Sequence, residues 1–440
     1  MLAEYALLER LHRRSLQWAL QAAIVILGGY LRMAHLGRPA TFIFDEVYYV
    51  KGAQQLLKYG VEVDAGKAIF VVHPPLGKWI IALGIQIFGD TPFGWRIAVA
   101  LLGTLSILLV ARIAYWIFRS ESAATIGALL YAVDALTFVH SRTALLDSVL
   151  VFWLILAFYL MVRPHQHTYL NYALVFAILG LATATKWSGG YFVAAFILWM
   201  MLRSYRERVS IKLLLKRLVL PFISIAVYVL SWSGWFASKL GYDRYWSNSK
   251  GVIGSIKSFI HYHSEMIHFH IGLHSPHPYM AKAWSWLFLK RPTAFYFTSP
   301  KAPVGTCHSG NCSDSILAIG TPLLWWGAIA AIFYAIYRLL IQRDERVGTL
   351  LLALAAGLIP WLFVGQRTIF FFYAVSLSPW LVLLTVYALM RSRVSVLGQI
   401  LSALFIVAVI VNFIYFLPIL DAQPLPYDQW HARMWFRSWI

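Results

Sequence analysis

The sequence predicts an all-α polytopic membrane protein, on three observations. Hydrophobic residues fill 60% of its 440 positions and charged residues only 12%, and the mean hydropathy is +0.68; a soluble globule of this length needs far more polar cover. Apolar runs close to the roughly 20 residues that cross the hydrocarbon recur along nearly the whole chain. Cations lie between those runs and are not clustered on a polar domain. The net charge of +19 is then a product of positive-inside sorting, and nucleic acid is not an expected partner. Residues 1–440 read as one transmembrane domain with no separate soluble domain.

Eleven spans are expected, at 16–34, 94–118, 123–140, 146–162, 169–185, 187–202, 218–238, 315–341, 347–364, 369–390 and 396–416. The opening stretch is mixed in charge and runs into a long apolar segment with no small-residue cleavage site, so it reads as an uncleaved first span. Every second connection is basic: Arg10, Arg13 and Arg14, then Arg119, Arg163, six cations between Arg203 and Arg217, Arg343 and Arg346, and last Arg391 and Arg393. Those connections face the cytoplasm, which puts the N-terminus there and the chain in the cell membrane. The segments 35–93 and 239–314, the tail from 417 and three tight turns then lie outside. Each tight turn nevertheless holds one cation, Arg142, Lys186 or Arg367. An ionisable group at membrane depth costs roughly 2.5 to 3.5 kcal/mol, so three on one face suggest a use for positive charge. Snorkelling to the headgroups is the plainer alternative.

In the first outer segment, TFIFDEVYYVKG (41–52) sets two adjacent carboxylates, Asp45 and Glu46, behind an apolar run that holds them at the interface. Neighbours in sequence cannot share a helix face, so one can address a site while the other is bound by backbone or a cation. A solvated acid pair is the simpler reading. HPPLGKW follows from His73; its prolines fix an extended turn, and the apolar stretch 79–89 is too short to span and is expected along the membrane surface. Lys78 reads equally as a phosphate partner or a headgroup anchor. Arg96 begins the second span, and HSRTALLDS supplies His140, Arg142 and Asp147, the last two a candidate ion pair. TATKWSGGYF places Lys186 and Trp187 before a glycine pair, and a cation beside free backbone amides is a common way to hold phosphate.

The second outer segment carries six histidines, His261, His263, His268, His270, His274 and His277. They invite a metal reading, but the interleaved aromatics make an amphipathic interfacial segment just as natural, and no metal site is assigned. Cys307 and Cys312 are the only cysteines and are expected to pair if their loop faces an oxidising side. The HExxH, Walker, GxSxG and CxxC signatures are absent from the sequence, which removes the common hydrolase, NTPase and zinc-domain classes.

In this order, FDEVYYVKGA, HPPLGKW, GWR, SRTALLD, TKWSGGYF, HPYMAKAWSWLFLKRP and QRTIFFFYAVSLSP resemble the bacterial, actinobacterial-type branch of the protein O-mannosyltransferases, over about residues 30 to 390. These are membrane glycosyltransferases of the GT-C type. The resemblance implies a GT-C fold with short interfacial helices on the outer loops. It also implies inverting transfer of mannose from polyprenyl-phosphate mannose to Ser or Thr hydroxyls of secreted or membrane proteins, at an extracytoplasmic site. Asp45 becomes the general base, with Glu46 orienting the site. Lys186 is the first choice for the donor phosphate, followed by Arg96, Arg142, Arg367 and Lys78. His73, Asp147, Trp187, His277 and Tyr279 are substrate-site candidates. No organic cofactor is implied, dependence on a divalent ion stays open, and the secretion translocon is a further candidate partner. Two departures stand out. About 75 residues occupy the place of the large β-trefoil domain that eukaryotic members carry between the seventh and eighth spans. Val47, Tyr48 and Tyr49 replace the eukaryotic His-Phe pattern after the acidic pair. A GT-C enzyme that moves another prenyl-linked sugar onto lipid or glycan is a competing reading, and so is a transporter. Transporters place binding groups near the midplane, whereas the ionisable candidates here gather at the outer ends of spans.

Overall fold

Each expected span has a helical counterpart, but several are broken, shortened or displaced for reasons visible in their capping residues. The computed structural model describes residues 2–163, 168–300, 305, 307–308 and 311–440, with side chains from residue 14 onward; Arg10 and Arg13, two of the cations used above for orientation, lie outside the described side chains.

Helix α1 (Leu2–Met33) opens the chain. The first outer segment folds into α2 (Glu46–Tyr59), a minimal hairpin of β1 (Val63–Asp64) and β2 (Lys67–Ala68), and α3 (Leu76–Phe88). Helix α4 (Pro92–Phe118) begins where it does because the Thr91 hydroxyl accepts from the Gly94 N–H at 3.2 Å and Pro92 needs no partner in the first turn. The short apolar stretch forecast at 79–89 is α3, packed against α2 and α4.

The span expected at 123–140 is two helices, α5 (Glu121–Ala132) and α6 (Ala135–Ser141), bent by 64°. Asp134 causes the break. Its carboxylate caps α6 by accepting from the Thr137 N–H and also takes the Trp325 indole N–H at 2.9 Å, so the helix restarts on a new axis. Helices α7 (Leu146–Val162), α8 (Tyr169–Thr185) and α9 (Gly189–Arg206) follow. The start of α9 is pressed onto the last turn of α8. A Cβ on Gly189 would lie 2.6 Å from the backbone of Ala182 and Thr183, so only glycine permits this approach. Next come α10 (Ile211–Val219), α11 (Phe222–Ser231) and α12 (Ser233–Ala237).

The second outer segment contains α13 (Gly251–Gly272) and two strands that an all-α reading missed, β3 (Thr293–Thr298) and β4 (Cys312–Ala318). They pair antiparallel from Thr293↔Ala318 to Thr298↔Asp314, and β5 (Leu425–Pro426) in the tail adds a third strand to β4. The span forecast at 315–341 therefore starts only at Pro322, as α14 (Pro322–Gln342). The Cys307–Cys312 disulfide is formed. Helices α15 (Glu345–Leu362), α16 (Ser378–Ser392) and α17 (Val396–Phe416) complete the bundle, with a 3₁₀ segment at Phe371–Leu377 leading into α16 and α18 (Tyr427–His431) in the tail.

Among the described residues, six helices are long and apolar enough to cross a membrane, or seven if α5 and α6 form one bent span; α3, α7 and α8 are shorter apolar helices. Eleven spans is thus a finer count than length and composition support. The main core runs from α2 to the tail, and a second, smaller cluster of Val61, Val63, Trp232, Trp235, Tyr262 and Met266 ties the first outer segment to α13. That tie brings His73 beside α13 and so closes one wall of the site.

Candidate active site

The acidic pair divides its labour between two environments. Glu46 is fully buried and grips the Arg96 guanidinium through both oxygens, at 2.7 Å from Nε and 2.7 Å from Nη2. It also accepts the backbone N–H groups of Ile43 (3.0 Å) and Ala144 (2.9 Å). The remaining Arg96 donors reach the carbonyls of Leu36, Pro39 and Thr41. The Arg96 guanidinium is satisfied within the chain and is not part of the lining of the cavity around Lys186; it clamps the start of the first outer segment to α4.

Asp45 sits one residue earlier, at the N-cap of α2, and its side chain makes no capping bond. Among the described residues that side chain has no hydrogen-bond or ion-pair partner. Burial pushes its carboxyl up to about 6; nearby Lys186 pulls the other way and Asp147 adds to the rise. The aim of Asp45 is set by Phe44, held at φ +47, a region that costs a non-glycine residue about 1 to 3 kcal/mol unless its surroundings fix it. Here they do: the Phe44 ring stacks on Phe295 at 4.5 Å and meets Phe372 edge-on at 5.0 Å.

Lys186, whose charge acts on Asp45, lines a cavity of about 580 Å³ together with Trp187, His73, His270, Arg367 and Tyr373; Asp45 is not itself part of the lining. Lys186 caps the end of α8 in extended backbone. Its ammonium contacts both Asp147 oxygens, at 2.8 and 3.0 Å, and lies 4.3 Å from the centre of the Tyr373 ring. Arg367 enters from the segment after α15. That segment runs alongside the chain after α13: the Thr368 N–H donates to the Leu273 carbonyl, and the Ala281 N–H to that of Ile369. Arg367 Nε donates to the His270 carbonyl at 3.0 Å and Nη2 lies 3.1 Å from His270 Nδ1. His270 Nε2 lies 2.9 Å from the Val72 carbonyl. These contacts fix one neutral tautomer, with the proton on Nε2 and Nδ1 accepting from Arg367. Burial, and then Arg367, hold this imidazole down at about 4. His73, 5.6 Å from His270 between ring centres, is kept well below the usual histidine range by burial and then by Lys186. Trp187 donates to the Tyr228 hydroxyl at 2.9 Å. The cavity thus presents two fixed cations and three imidazoles, of which His73 and His270 are held neutral and His274 lies against the Gln366 carbonyl, with the unpaired Asp45 carboxylate near Lys186, a set suited to holding a phosphate and accepting a proton beside it.

Other sequence candidates go elsewhere. Arg142 pairs with Asp421 and donates to the carbonyls of Leu31, Arg32 and Ala34; it caps α1, and the suggested Arg142–Asp147 pair does not form. Lys78 is buried against Glu62 at 2.5 Å and is not part of the cavity lining, though its charge acts on His73, which is. His277 is exposed and accepts the Tyr279 N–H at 3.1 Å, with its ring edge-on to Phe370; this pair lies outside the cavity lining. Of the residues that sequence reasoning left out, Tyr373 was within reach as the aromatic six positions after Arg367. Tyr49, noted from the sequence only as part of a departure after the acidic pair, places its ring 6.0 Å from that of His73.

Comparison with solved structures defines the class first. The fold is similar to that of a chain of the Saccharomyces cerevisiae Pmt1–Pmt2 protein O-mannosyltransferase complex bound to its sugar donor, with TM-score 0.80 over 96% of this chain and 92% of that one, at 15% identity. It is also similar to ArnT of Cupriavidus metallidurans bound to undecaprenyl phosphate, with TM-score 0.56 over 91% and 70% of the two chains, at 15% identity. The chain has a GT-C-like fold. Residues 72–232 match the family described as dolichyl-phosphate-mannose-protein mannosyltransferase, and residues 255–439 match the C-terminal four-transmembrane region of protein O-mannosyltransferase. The chain is 32% identical to the polyprenol-phosphate-mannose–protein mannosyltransferase of Mycobacterium tuberculosis over 99% of its length and 94% of that protein. It is 33% identical to the Mycolicibacterium smegmatis enzyme of the same name, over 97% and 93%. It belongs to the protein O-mannosyltransferase family.

Proposed function

We propose that the chain transfers mannose from polyprenyl-phosphate mannose to Ser or Thr hydroxyls of proteins. The observation that carries this reading is the unpaired carboxylate of Asp45 near Lys186, which lines a cavity together with Arg367. In the proposed step, Asp45 takes the hydroxyl proton as the acceptor oxygen attacks the anomeric carbon from the face opposite the phosphate. The bond from that carbon to the phosphate oxygen breaks, and the polyprenyl phosphate leaves with the electron pair. Lys186 and Arg367 offset its growing charge without reorganising. Inversion follows from a single displacement.

The finer topology belongs to the same proposal. Eleven crossings, an N-terminus in the cytoplasm and an active site outside are supported by the alternation of basic connections. A disulfide between Cys307 and Cys312 supports an oxidising side for the second outer segment. Secreted and membrane proteins are then the acceptors, and the secretion translocon is the natural neighbour that would present them unfolded. The deciding experiment incubates purified protein with labelled polyprenyl-phosphate mannose and a Thr- and Pro-rich peptide, alongside the Asp45→Asn variant. Label in the peptide, lost in the variant, is the expected result. Label only in lipid or glycan would move the assignment to another GT-C transferase.

A further inference from the structure

The second outer segment holds a cluster that the transfer site does not use. Helix α13 sets His261 and Glu265 one turn apart on a single face, as residues four apart must be. The turn before it brings Asp243 to the same point, with left-handed backbone at φ +47. His261 Nε2 lies 3.2 Å from Asp243 Oδ2 and 3.6 Å from Glu265 Oε1. One ligand atom from each residue falls within 4.8 Å of the other two. The second Glu265 oxygen, Oε2, is shielded from solvent, in a side chain that is 34% exposed, and makes no hydrogen bond among the described residues.

Among the described residues, no lysine or arginine pairs with Asp243 or Glu265. Arg244, the adjacent cation in sequence, is turned away onto the Phe236 carbonyl and the Ser255 hydroxyl, and Lys257 reaches Ser249. The Tyr242 phenol also faces Glu265. Between the two carboxylates stands the His261 Nε2, hydrogen-bonded to Asp243; a neutral imidazole leaves their mutual repulsion in place, and a bound cation would relieve it. The imidazole is held edge-in to the same point, because Trp246 stacks on the His261 ring at 4.0 Å and 8°. A locked ring plane is what a ligating histidine needs.

We propose that Asp243, His261 and Glu265 bind a divalent transition-metal ion of the zinc class, through one imidazole nitrogen and two carboxylate oxygens, with water completing the shell. The mixed nitrogen and oxygen set suits zinc better than magnesium or calcium, which favour oxygen alone. The ion pins the turn at Asp243 to α13. The same helix, nine residues or roughly 14 Å further on, contributes His270 to the donor cavity. At that distance the ion does not touch the donor phosphate; it stiffens the wall that carries His270 and, through it, Arg367.

The test uses full-length protein in detergent, stripped with a chelator, dialysed against Zn²⁺ and freed of excess. Metal content is measured by mass spectrometry, and thermal unfolding with and without Zn²⁺ by tryptophan fluorescence. About one tightly held zinc per chain is expected, with a rise in Tm on adding it. The conservative variant Glu265→Gln is expected to weaken binding by at least tenfold, and His261→Asn or Asp243→Asn with Glu265→Gln to abolish it. His268→Asn changes an exposed histidine of the same helix and is expected to retain the metal. Wild-type protein that holds no zinc, wild-type metal content in well-folded His261→Asn, or equal losses in His261→Asn and His268→Asn each overturn the assignment.

Discussion

Asp45 and Glu46 share a side-chain chemistry and a peptide bond, yet the fold puts them to opposite uses. Glu46 is enclosed by Arg96 and two backbone N–H groups, with every strong partner supplied from within the chain. Asp45 is left without one and is merely brought near Lys186, which Asp147 already occupies. The closed pair fixes where the first outer segment attaches to the bundle. Asp45, unpaired, leaves a carboxylate free for the proton transfer proposed above. A carboxylate saturated by its partners is a fastening; one left unpaired is free to serve as the proposed base.

Substitutions at the two positions should therefore separate. Asp45→Asn is expected to lower kcat by roughly 10² to 10⁴-fold while Tm holds or rises, since the lost charge was a buried one; a kcat within threefold of wild type would remove Asp45 from the mechanism. Glu46→Gln leaves the Arg96 charge buried without its counter-ion and is expected to cost about 3 to 5 kcal/mol of stability, read as a fall in Tm and in monodisperse yield. If that variant proves as stable as wild type and merely inactive, the contrast between fastening and base fails. Lys186→Met is expected to raise the KM for the polyprenyl donor and also to lower kcat, because its charge is used more strongly as the phosphate departs; Arg142→Met, which faces Asp421, should leave donor KM alone and lower Tm instead. The mildest test is pH. Asp45 acts as a base only when ionised, and its carboxyl is raised to about 6, so kcat/KM is expected to climb with pH up to about 6 and to level off above it. The same rise persisting in Asp45→Asn would assign the titration to another group.

Much of this is legible in the amino-acid sequence alone. The eleven apolar runs correspond to helices or helix pairs, because hydropathy is set by composition over many residues. The acidic pair, Lys186, Asp147, His73, Trp187 and Arg367 are all marked by their types and positions. What a sequence does not carry is partnership. Arg96, Arg142, Lys78 and Lys186 are equally cations at the ends of apolar runs, and only the fold shows that they pair with Glu46, Asp421, Glu62 and Asp147, and that of the four it is Lys186 that lines the cavity. The strand at Cys312–Ala318 is hidden for a similar reason: SILA reads as the start of a span until β3 and β5 are there to pair with it. The bend at Asp134 depends on an indole 191 positions away, which no local pattern encodes.

The left-handed residue ahead of Asp45 has one more implication. Phe44 and Asp45 come from the N-terminal half of the chain, but the rings that hold Phe44 in place, Phe295 and Phe372, come from the C-terminal half. Each half alone is missing something indispensable: one owns the acid without its aim, the other the aim without the acid. Produced as separate fragments, the two should be silent singly and regain turnover on reassembly, which makes the polypeptide a ready complementation reporter for assembly in the bilayer.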